Sequence, residues 1–199
     1  GDSLLGGDDL DQRLMAHVAQ SLLELGGHEL PNEPEAMAWL RSACREARHF
    51  LSYDDAVEVE HEGSVVGITR QMFEELIDDE VHSLENPFAC MLEDAVMGTD
   101  DLDGVYLIGG TTQTPIIRRN VEELFRTDVT TPADADDLVA LGAARAAAVR
   151  HGSIGGPALQ DITTLSAGLK VPGGRVSVAV PRLSPLPAKS HTTFSPARP

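Results

Sequence analysis

Basic side chains and one hydroxyl group are spaced along a single edge of a predicted helix, a combination that could bind an anion or a polyhydroxyl ligand. Successive residues of a helix are about 100° apart around its axis. On one arc of this helix lie Arg41, Arg45, Arg48, His49 and Ser52. Arginine forms paired hydrogen bonds with phosphate and similar oxygen-rich groups. The pattern therefore predicts either a stripe that binds phosphate or sugar, or a solvated face that pairs with nearby acids.

Two pairs of glycines precede predicted helices and could bring backbone N–H groups close to a ligand. One pair, residues 109–110, follows the apolar run 105–108, and the other is residues 6–7. Glycine permits close approach of the backbone, and a helix N-terminus attracts anions. Together with the basic edge, the two loops predict a pocket, although Asp8 and Asp9 would repel a phosphate bound directly on them.

No other arrangement in the sequence indicates catalysis or metal binding. The histidines do not cluster at ligand spacing, and no local pattern suggests a catalytic serine–histidine or cysteine–histidine pair. Cys44 and Cys90 both fall in apolar helical patterns, which predicts reduced thiols in the core of a cytosolic protein. We therefore predict no catalytic residue and no metal ligand in this chain.

Regular patterns predict the elements that position the basic edge and the glycine loops. Apolar residues at helical spacing predict helices over 9–25, 34–51, 69–97, 115–125 and 136–150. We expect the longest of these to be broken or bent at Pro87. Alternating patterns predict a hairpin over 56–68 and a strand over 105–108. Strands separated by helices indicate an α/β or α+β domain.

The distribution of charge divides the chain near residue 152. The whole chain has a net charge of −17, but residues 152–199 hold five bases and one acid, which is +4. Residues 1–151 then hold 10 bases and 31 acids, which is −21. This change coincides with a glycine-rich stretch, so we predict a domain boundary there. Because an acidic body repels DNA, RNA and anionic lipid, neither nucleic acid nor a membrane is an expected partner.

The segment after residue 152 differs in composition from the acidic part of the chain. Valines at 176, 178 and 180 have the period of a strand, and Pro, Ser and Thr dominate the last 20 residues. Two structures are compatible with this composition: the first hairpin of a β domain, or a poorly ordered tail that contains one strand.

Four segments match a known family in their order along the chain. They are GDSLLGGDDLD, LRSACREARHFLS, GVYLIGGTTQTPIIRRNVEELF and DADDLVALGAA, collinear over residues 1 to about 151. In these segments the chain resembles the seventy-kilodalton heat-shock chaperones, the DnaK type. The resemblance implies an α/β fold: the C-terminal half of their actin-like (ribonuclease H-like) nucleotide-binding domain, with a helical and β-hairpin lobe inserted at about 8–100.

The resemblance continues more weakly beyond that region. The segment ALQDITTLSAGLKVPGG is similar to the interdomain linker and the first strands of the family's peptide-binding domain. It implies that residues 152–199 are a linker with a short β-rich tail, either a partial substrate-binding segment or disordered.

The same resemblance implies a nucleotide site. In that family the helix that matches 34–51 holds adenine and ribose, through positions that here are Arg45, Arg48, His49 and Ser52. The family's glycine loop corresponds here to Gly109, Gly110, Thr111, Thr112 and Gln113. Further family contacts with the nucleotide correspond to Gly7 and Asp136. Ser52 is retained, Arg48 keeps the family's charge, Arg45 reverses it, and Gln113 stands where the family has an arginine that stacks on adenine.

The resemblance to this family also implies a function. The resemblance implies a stress-response chaperone that folds unfolded polypeptides with ATP, a J-domain co-chaperone and a nucleotide exchange factor, in the cytoplasm. ATP or ADP is the expected cofactor, with magnesium in the intact family member. The family's phosphate loops, catalytic lysine and magnesium-binding acids precede the segment where this chain begins. We therefore expect a fragment or a divergent member that carries the adenosine side of the cleft and does not hydrolyse ATP efficiently alone.

An alternative from a different class is a non-catalytic actin-fold module for protein interaction. Its cleft would be degenerate and would bind nucleotide weakly or not at all. The altered side chains at Arg45, His49 and Gln113 favour this alternative.

Overall fold

The computed structural model describes residues 5–26 and 33–193, and the chain divides into two compact units. The first unit is Gly1–Val139 and the second is Ala140–Pro199. The two units meet between residues 139 and 140, before the domain boundary near residue 152 that the change in charge predicts. That boundary stays a prediction. Both helices and strands are present, in small sheets, so the mixed α/β content predicted from the sequence is confirmed.

Two long helices run through the first unit. They are α1 (Gly7–Gly26) and α2 (Pro34–Leu51), close to the predicted ranges. Pro34 occupies the first position of α2, where its missing N–H has no helical partner to lose. Their apolar stripes pack together, with Leu14 fully buried on α1 and Cys44 on α2. The glycine pair predicted to end α1 includes Gly26, the last residue of that helix, and residue 27, which lies outside the described residues.

A hairpin covers this helix pair. Its strands are β1 (Ala56–His61) and β2 (Ser64–Thr69), which pair antiparallel with Val59 opposite Val66. The two turn residues both have positive φ, 49° and 84° (the second a glycine), which suits the twist of a tight hairpin. The buried face of β2 packs on α1, and the ring of Trp39 in α2 lies 4.1 Å from that of His61. The predicted hairpin is confirmed.

The stretch predicted as one long helix over 69–97 is three helices. They are α3 (Arg70–Leu76), α4 (Asp78–His82) and α5 (Glu85–Ala95). The predicted break at Pro87 occurs a few residues earlier, at the turn 83–84, so that this proline lies in the first turn of α5, where it has no helical hydrogen bond to lose. A second break, which was not predicted, lies at Ile77, whose ψ of 7° separates α3 from α4.

A short parallel pair of strands completes the first unit. The strands β3 (Val105–Tyr106) and β4 (Val129–Thr130) are joined through α6 (Pro115–Phe125). The predicted helix is confirmed, and the predicted strand over 105–108 is shorter than expected. Backbone pairing nevertheless continues past β3, since the N–H of Leu107 donates to Thr130 and that of Gly109 to Ala135, at 2.9 and 2.8 Å.

The second unit is a helix followed by a hairpin. The helix α7 (Leu138–Arg150) begins near the boundary between the units, and β5 (Ala167–Lys170) pairs antiparallel with β6 (Val176–Val180). The alternating valines therefore do form a strand. No described residue from 140 to 193 is buried, and Leu159 is 82% exposed. A two-stranded hairpin without a covered face is only marginally stable in water. Within the described ranges, no helix is both long and apolar enough to cross a membrane.

The two cysteines differ in exposure, which corrects the prediction that both lie in the core. Cys44 is fully buried, whereas Cys90 on α5 is exposed. Burial, together with the charge of Asp11, raises the pKa of the Cys44 thiol to about 12. Because the thiolate is the reactive form, Cys44 is protected both by its low accessibility and by its protonation.

We expect one thiol of the folded chain to react rapidly with a disulfide reagent such as dithionitrobenzoate, and the second to react only after unfolding. Spectrophotometric titration with and without denaturant measures both. In the Cys90→Ser variant the rapid phase should disappear while the slow one remains. Equal rates for the two thiols in the folded chain would contradict the burial of Cys44.

Candidate functional site

A cleft of about 640 Å³ opens between the start of α1, one edge of α2 and the 3-10 turn Gly110–Gln113. It is lined by Leu5, Gly6, Gly7, Asp8, Asp9, Arg45, Arg48, His49, Gly110 and Thr111. These residues come from three segments that are far apart in the sequence. Six of the ten predicted nucleotide-binding residues lie among them: Gly7, Arg45, Arg48, His49, Gly110 and Thr111.

The side chain of Arg48 is buried and forms an ion pair with Asp11 of α1. Its Nε donates to Oδ1 of the carboxylate at 2.6 Å, and its Nη2 to Oδ2 at 3.5 Å. Only 5% of Arg48 and 1% of Asp11 are exposed. Sequence reasoning missed Asp11, although a signal was present: it lies three residues before Leu14 and so falls on the apolar arc of α1.

Arg45 pairs with acids at the surface of the same cleft. Its Nη2 lies 2.7 Å from Oδ1 of Asp8, and its Nε lies 3.5 Å from Oδ2 of Asp11. The hydrogen bond to Asp8, followed by the charge of Asp11, raises the pKa of Arg45 above its ordinary value. The basic edge was predicted to be either a ligand-binding stripe or a solvated face that pairs with acids. Arg45 and Arg48 both pair with acids, although Arg48 is buried and not solvated.

Gly7 allows α1 to approach the glycine turn. A Cβ at this position would lie 2.8 Å from Oγ1 of Thr111 and 3.3 Å from Nη2 of Arg48. The first distance is shorter than real Cβ contacts, so a side chain here would force the Thr111 hydroxyl to shift. Glycine at this position therefore permits the close contact between the helix start and the turn.

The glycine turn uses several of its backbone donors internally. Besides the bond from Gly109 to Ala135, the N–H of Thr112 donates to the carbonyl of Gly109 at 3.1 Å, and that of Thr114 to Thr111 at 3.2 Å. Gly109 itself has a φ of 90°, a conformation that favours glycine. The paired glycines therefore shape a tight turn, in which the N–H groups of Gly109, Thr112 and Thr114 are bonded within the protein and are not directed at an anion.

Four of the predicted residues do not line the cleft: Ser52, Gly109, Gln113 and Asp136. Two of them belong to a polar chain, in which the Tyr53 hydroxyl donates to Oε1 of Gln113, and Nε2 of Gln113 donates to both carboxylate oxygens of Asp136 at 3.1 Å. The hydroxyl of Ser52 donates to the carbonyl of Arg48 at 3.3 Å. This polar chain connects Tyr53, two residues beyond the end of α2, to the glycine turn. Tyr53 was not identified from the sequence, where only its position next to Ser52 marks it.

Comparisons with known proteins agree on one family. The family model described as Hsp70 protein matches residues 1–198. The chain is similar to the chaperone protein DnaK of Thermosipho africanus strain TCF52B, with 32% identity over 211 residues that cover 99% of this chain and 35% of that protein. It is also similar to the chaperone protein DnaK of Thermotoga maritima, with 31% identity over 210 residues, 98% of this chain and 35% of the relative. The chain thus spans about a third of the length of the curated relatives it matches.

Proposed function

The chain belongs to the Hsp70 family, and from that premise we propose that its first unit forms the adenosine side of the nucleotide cleft of a DnaK-type chaperone. Residues 1–151 are then the C-terminal half of an actin-like nucleotide-binding domain, and residues 152–199 the linker and start of the peptide-binding segment. The intact protein uses ATP to fold unfolded polypeptides in the cytoplasm, with a J-domain co-chaperone and a nucleotide exchange factor as partners. A non-catalytic interaction module is not favoured, since the family match extends over nearly the whole chain.

The observation that carries this proposal is the convergence of three separated segments on one cleft. The start of α1, the edge of α2 and the glycine turn contribute Gly7, Arg48 and Gly110 to the same lining. A volume of about 640 Å³ is in the usual range of small-molecule sites, roughly 300–1,000 Å³. These are the segments that the family resemblance assigns to adenosine.

The residues of the cleft fit an adenosine group better than they fit a metal ion. Asp8 is paired with Arg45, and Oδ2 of Asp9 accepts the N–H of Gly6 at 2.8 Å. Among the residues that the structure describes, no group of three or more metal-binding side chains occurs. ATP or ADP is the cofactor we propose, and magnesium accompanies it in the intact family member. Magnesium is assigned no ligand in the described part of this chain.

We expect ADP to bind to the 199-residue chain with a Kd no tighter than roughly 1 mM, about 4 kcal/mol of binding free energy. The arginines of the cleft are already paired, and Gln113 is held by Tyr53 and Asp136, so few side chains can strengthen the binding. A chemical-shift titration of the ¹⁵N-labelled chain measures the Kd and locates the site. The amides of Gly7, Gly110 and Thr111 should shift, while those of α4 should not. Shifts confined to other residues would contradict the proposal, whereas a micromolar Kd with shifts at the cleft would overturn only the expected weak affinity.

A further inference from the structure

We propose that a groove in the second unit binds an acidic amphipathic helix of another protein. The groove lies between the end of α7 and the segments 158–161 and 186–187, and its volume is about 1180 Å³. Its apolar lining includes Ala146, Val149, Leu159, Leu186 and Pro187. The inference goes beyond the function proposed above, because no residue that lines this groove lines the cleft of the first unit.

Hydrogen bonds and packing within the second unit define the walls of the groove. The N–H of Leu186 donates to the carbonyl of Asp161 at 2.8 Å, and Nε2 of Gln160 donates to the carbonyl of Leu186 at 2.7 Å. These bonds join the segments 158–161 and 186–187. A Cβ at Gly156 would lie 3.2 Å from Val149, so the chain packs on α7 as it returns from the end of that helix. The groove is therefore a feature of the folded unit and requires no partner to form it.

The apolar side chains of the groove are open to solvent. Leu159 is 82% exposed and Leu186 is 42% exposed, although both line a concave surface. Exposed apolar surface of this kind is typical of sites that bind another protein. The volume of the groove exceeds the roughly 300–1,000 Å³ of most small-molecule sites, and a helix can lay its apolar face into such a groove. The shape therefore favours a polypeptide over a small molecule.

Unpaired cations lie at the edge of the groove. Residues 140–193 hold six bases and a single acid, Asp161, which is +5. Arg150 lines the groove, and Arg145 lies beside it, because its Nη2 would be 4.0 Å from the same Cβ at Gly156 that meets Val149. Among the described residues, neither arginine has a hydrogen-bond or ion-pair partner. Each guanidinium group can therefore bind a carboxylate without losing another partner.

The groove and its cations together specify the chemistry of the partner. A helix with apolar side chains on one face and carboxylates beside them would place the first in the groove and the second against Arg145 and Arg150. A flat lipid surface cannot enter a concave groove, and an apolar segment without acids would leave both guanidinium groups unpaired. The arrangement therefore favours an acidic amphipathic helix over a membrane or an unfolded apolar polypeptide.

The test uses the full 199-residue chain and a fluorescent synthetic peptide of about four helical turns, with leucines on one face and glutamates on the other. Fluorescence anisotropy measures the Kd. We expect this peptide to bind at least about tenfold tighter than a matched peptide with lysine in place of every glutamate. The Leu159→Ser variant removes an apolar side chain from the lining of the groove, and it should weaken binding of the glutamate peptide by roughly fivefold or more.

Two pairs of charge reversals test the role of the cations. Arg145→Glu with Arg150→Glu should weaken binding of the glutamate peptide by about tenfold or more, because carboxylates would then face carboxylates. Lys170→Glu with Arg175→Glu is the matched control, since it changes the net charge equally at exposed residues that do not line the groove. This control should change the Kd by less than about twofold. Far-ultraviolet circular dichroism checks that all the variants remain folded.

Several outcomes would overturn the inference. Equal affinity for the glutamate and lysine peptides would do so, as would no binding of either peptide or equal effects of the two pairs of charge reversals. Binding to phosphatidylglycerol vesicles that is lost in Arg145→Glu with Arg150→Glu would assign the groove to anionic lipid instead. Self-association in sedimentation velocity that is lost in Leu159→Ser would assign it to a second copy of the chain. None of these results depends on nucleotide binding, so the proposed function is tested separately.

Discussion

Replacement of Asp11 by alanine is expected to lower the free energy of unfolding of the first unit by about 3–5 kcal/mol, because it leaves the guanidinium group of Arg48 buried without its partner. Only 5% of Arg48 is exposed, so water cannot replace the lost carboxylate. The loss should appear as a lower midpoint of urea unfolding, followed by far-ultraviolet circular dichroism or by the fluorescence of Trp39, the single tryptophan.

Two further variants distinguish the loss of the buried pair from other causes. Arg45→Ala removes an ion pair that is exposed to solvent in the same cleft, and its effect on stability should be much smaller. The double variant Asp11→Leu with Arg48→Met replaces both buried charges by apolar groups and should recover most of the stability. A loss of less than about 1 kcal/mol for Asp11→Ala would show that Arg48 is solvated or has another partner, and the described geometry would be wrong.

Replacement of Leu14 by alanine should lower the free energy of unfolding by about 2–5 kcal/mol, through lost burial and the cavity that remains. Leu14 is completely buried on α1, which packs against α2, β2 and α3. A cavity at this point therefore loosens the helix pair that supports the cleft. Urea unfolding of the variant measures the loss of stability, and the chemical shifts of Gly7 and Thr111 should report whether the cleft is disturbed.

The same helix provides the matched control. Leu25→Ala is an identical substitution near the end of α1, at a residue that is 62% exposed. Its effect should stay within about 0.5 kcal/mol, as for most surface substitutions. Similar losses for the two variants would mean that α1 does not bury the face that the structure shows.

Stability and ligand binding depend on different residues of the same cleft. Arg48 contributes to the lining of the cleft and also completes a buried ion pair, so a variant at this position would change both properties together. Arg45, Thr111 and His49 lie closer to solvent and affect the core less, which makes them better probes of binding. The distinction follows from burial: removing one partner of a buried ion pair destabilises the fold, whereas a charge that water can reach is replaced at little cost.

Local patterns in the sequence determined most of the secondary structure of this protein. The helices 34–51 and 115–125 follow from apolar residues at helical spacing after a proline that suits a first turn. The hairpin over 56–68 follows from alternation around a glycine turn, and the family is recognisable because its motifs keep their order along the chain. The helices and the hairpin depend on residues within a few positions of one another, and the family match depends on the order of its motifs along the chain, so none of them requires knowledge of the tertiary structure.

Contacts between residues far apart in the sequence determined the geometry of the site and the exposure of individual side chains. Whether Arg48 meets a ligand or a carboxylate depends on Asp11, 37 positions earlier in the chain. The helical pattern places Asp11 on the apolar arc of α1 but does not identify the residue with which it pairs. Exposure of Cys90 likewise depends on what covers α5, and the break at Ile77 is not marked by any proline or glycine. Ser52 and Gln113 were predicted to line the site, yet neither lines the cleft: the Ser52 hydroxyl donates to the backbone carbonyl of Arg48, and Gln113 is bonded to Tyr53 and Asp136. Periodicity specifies which face of a helix is apolar, but only the packed structure specifies which groups meet across it, because the energy of a buried charge is determined by its partner.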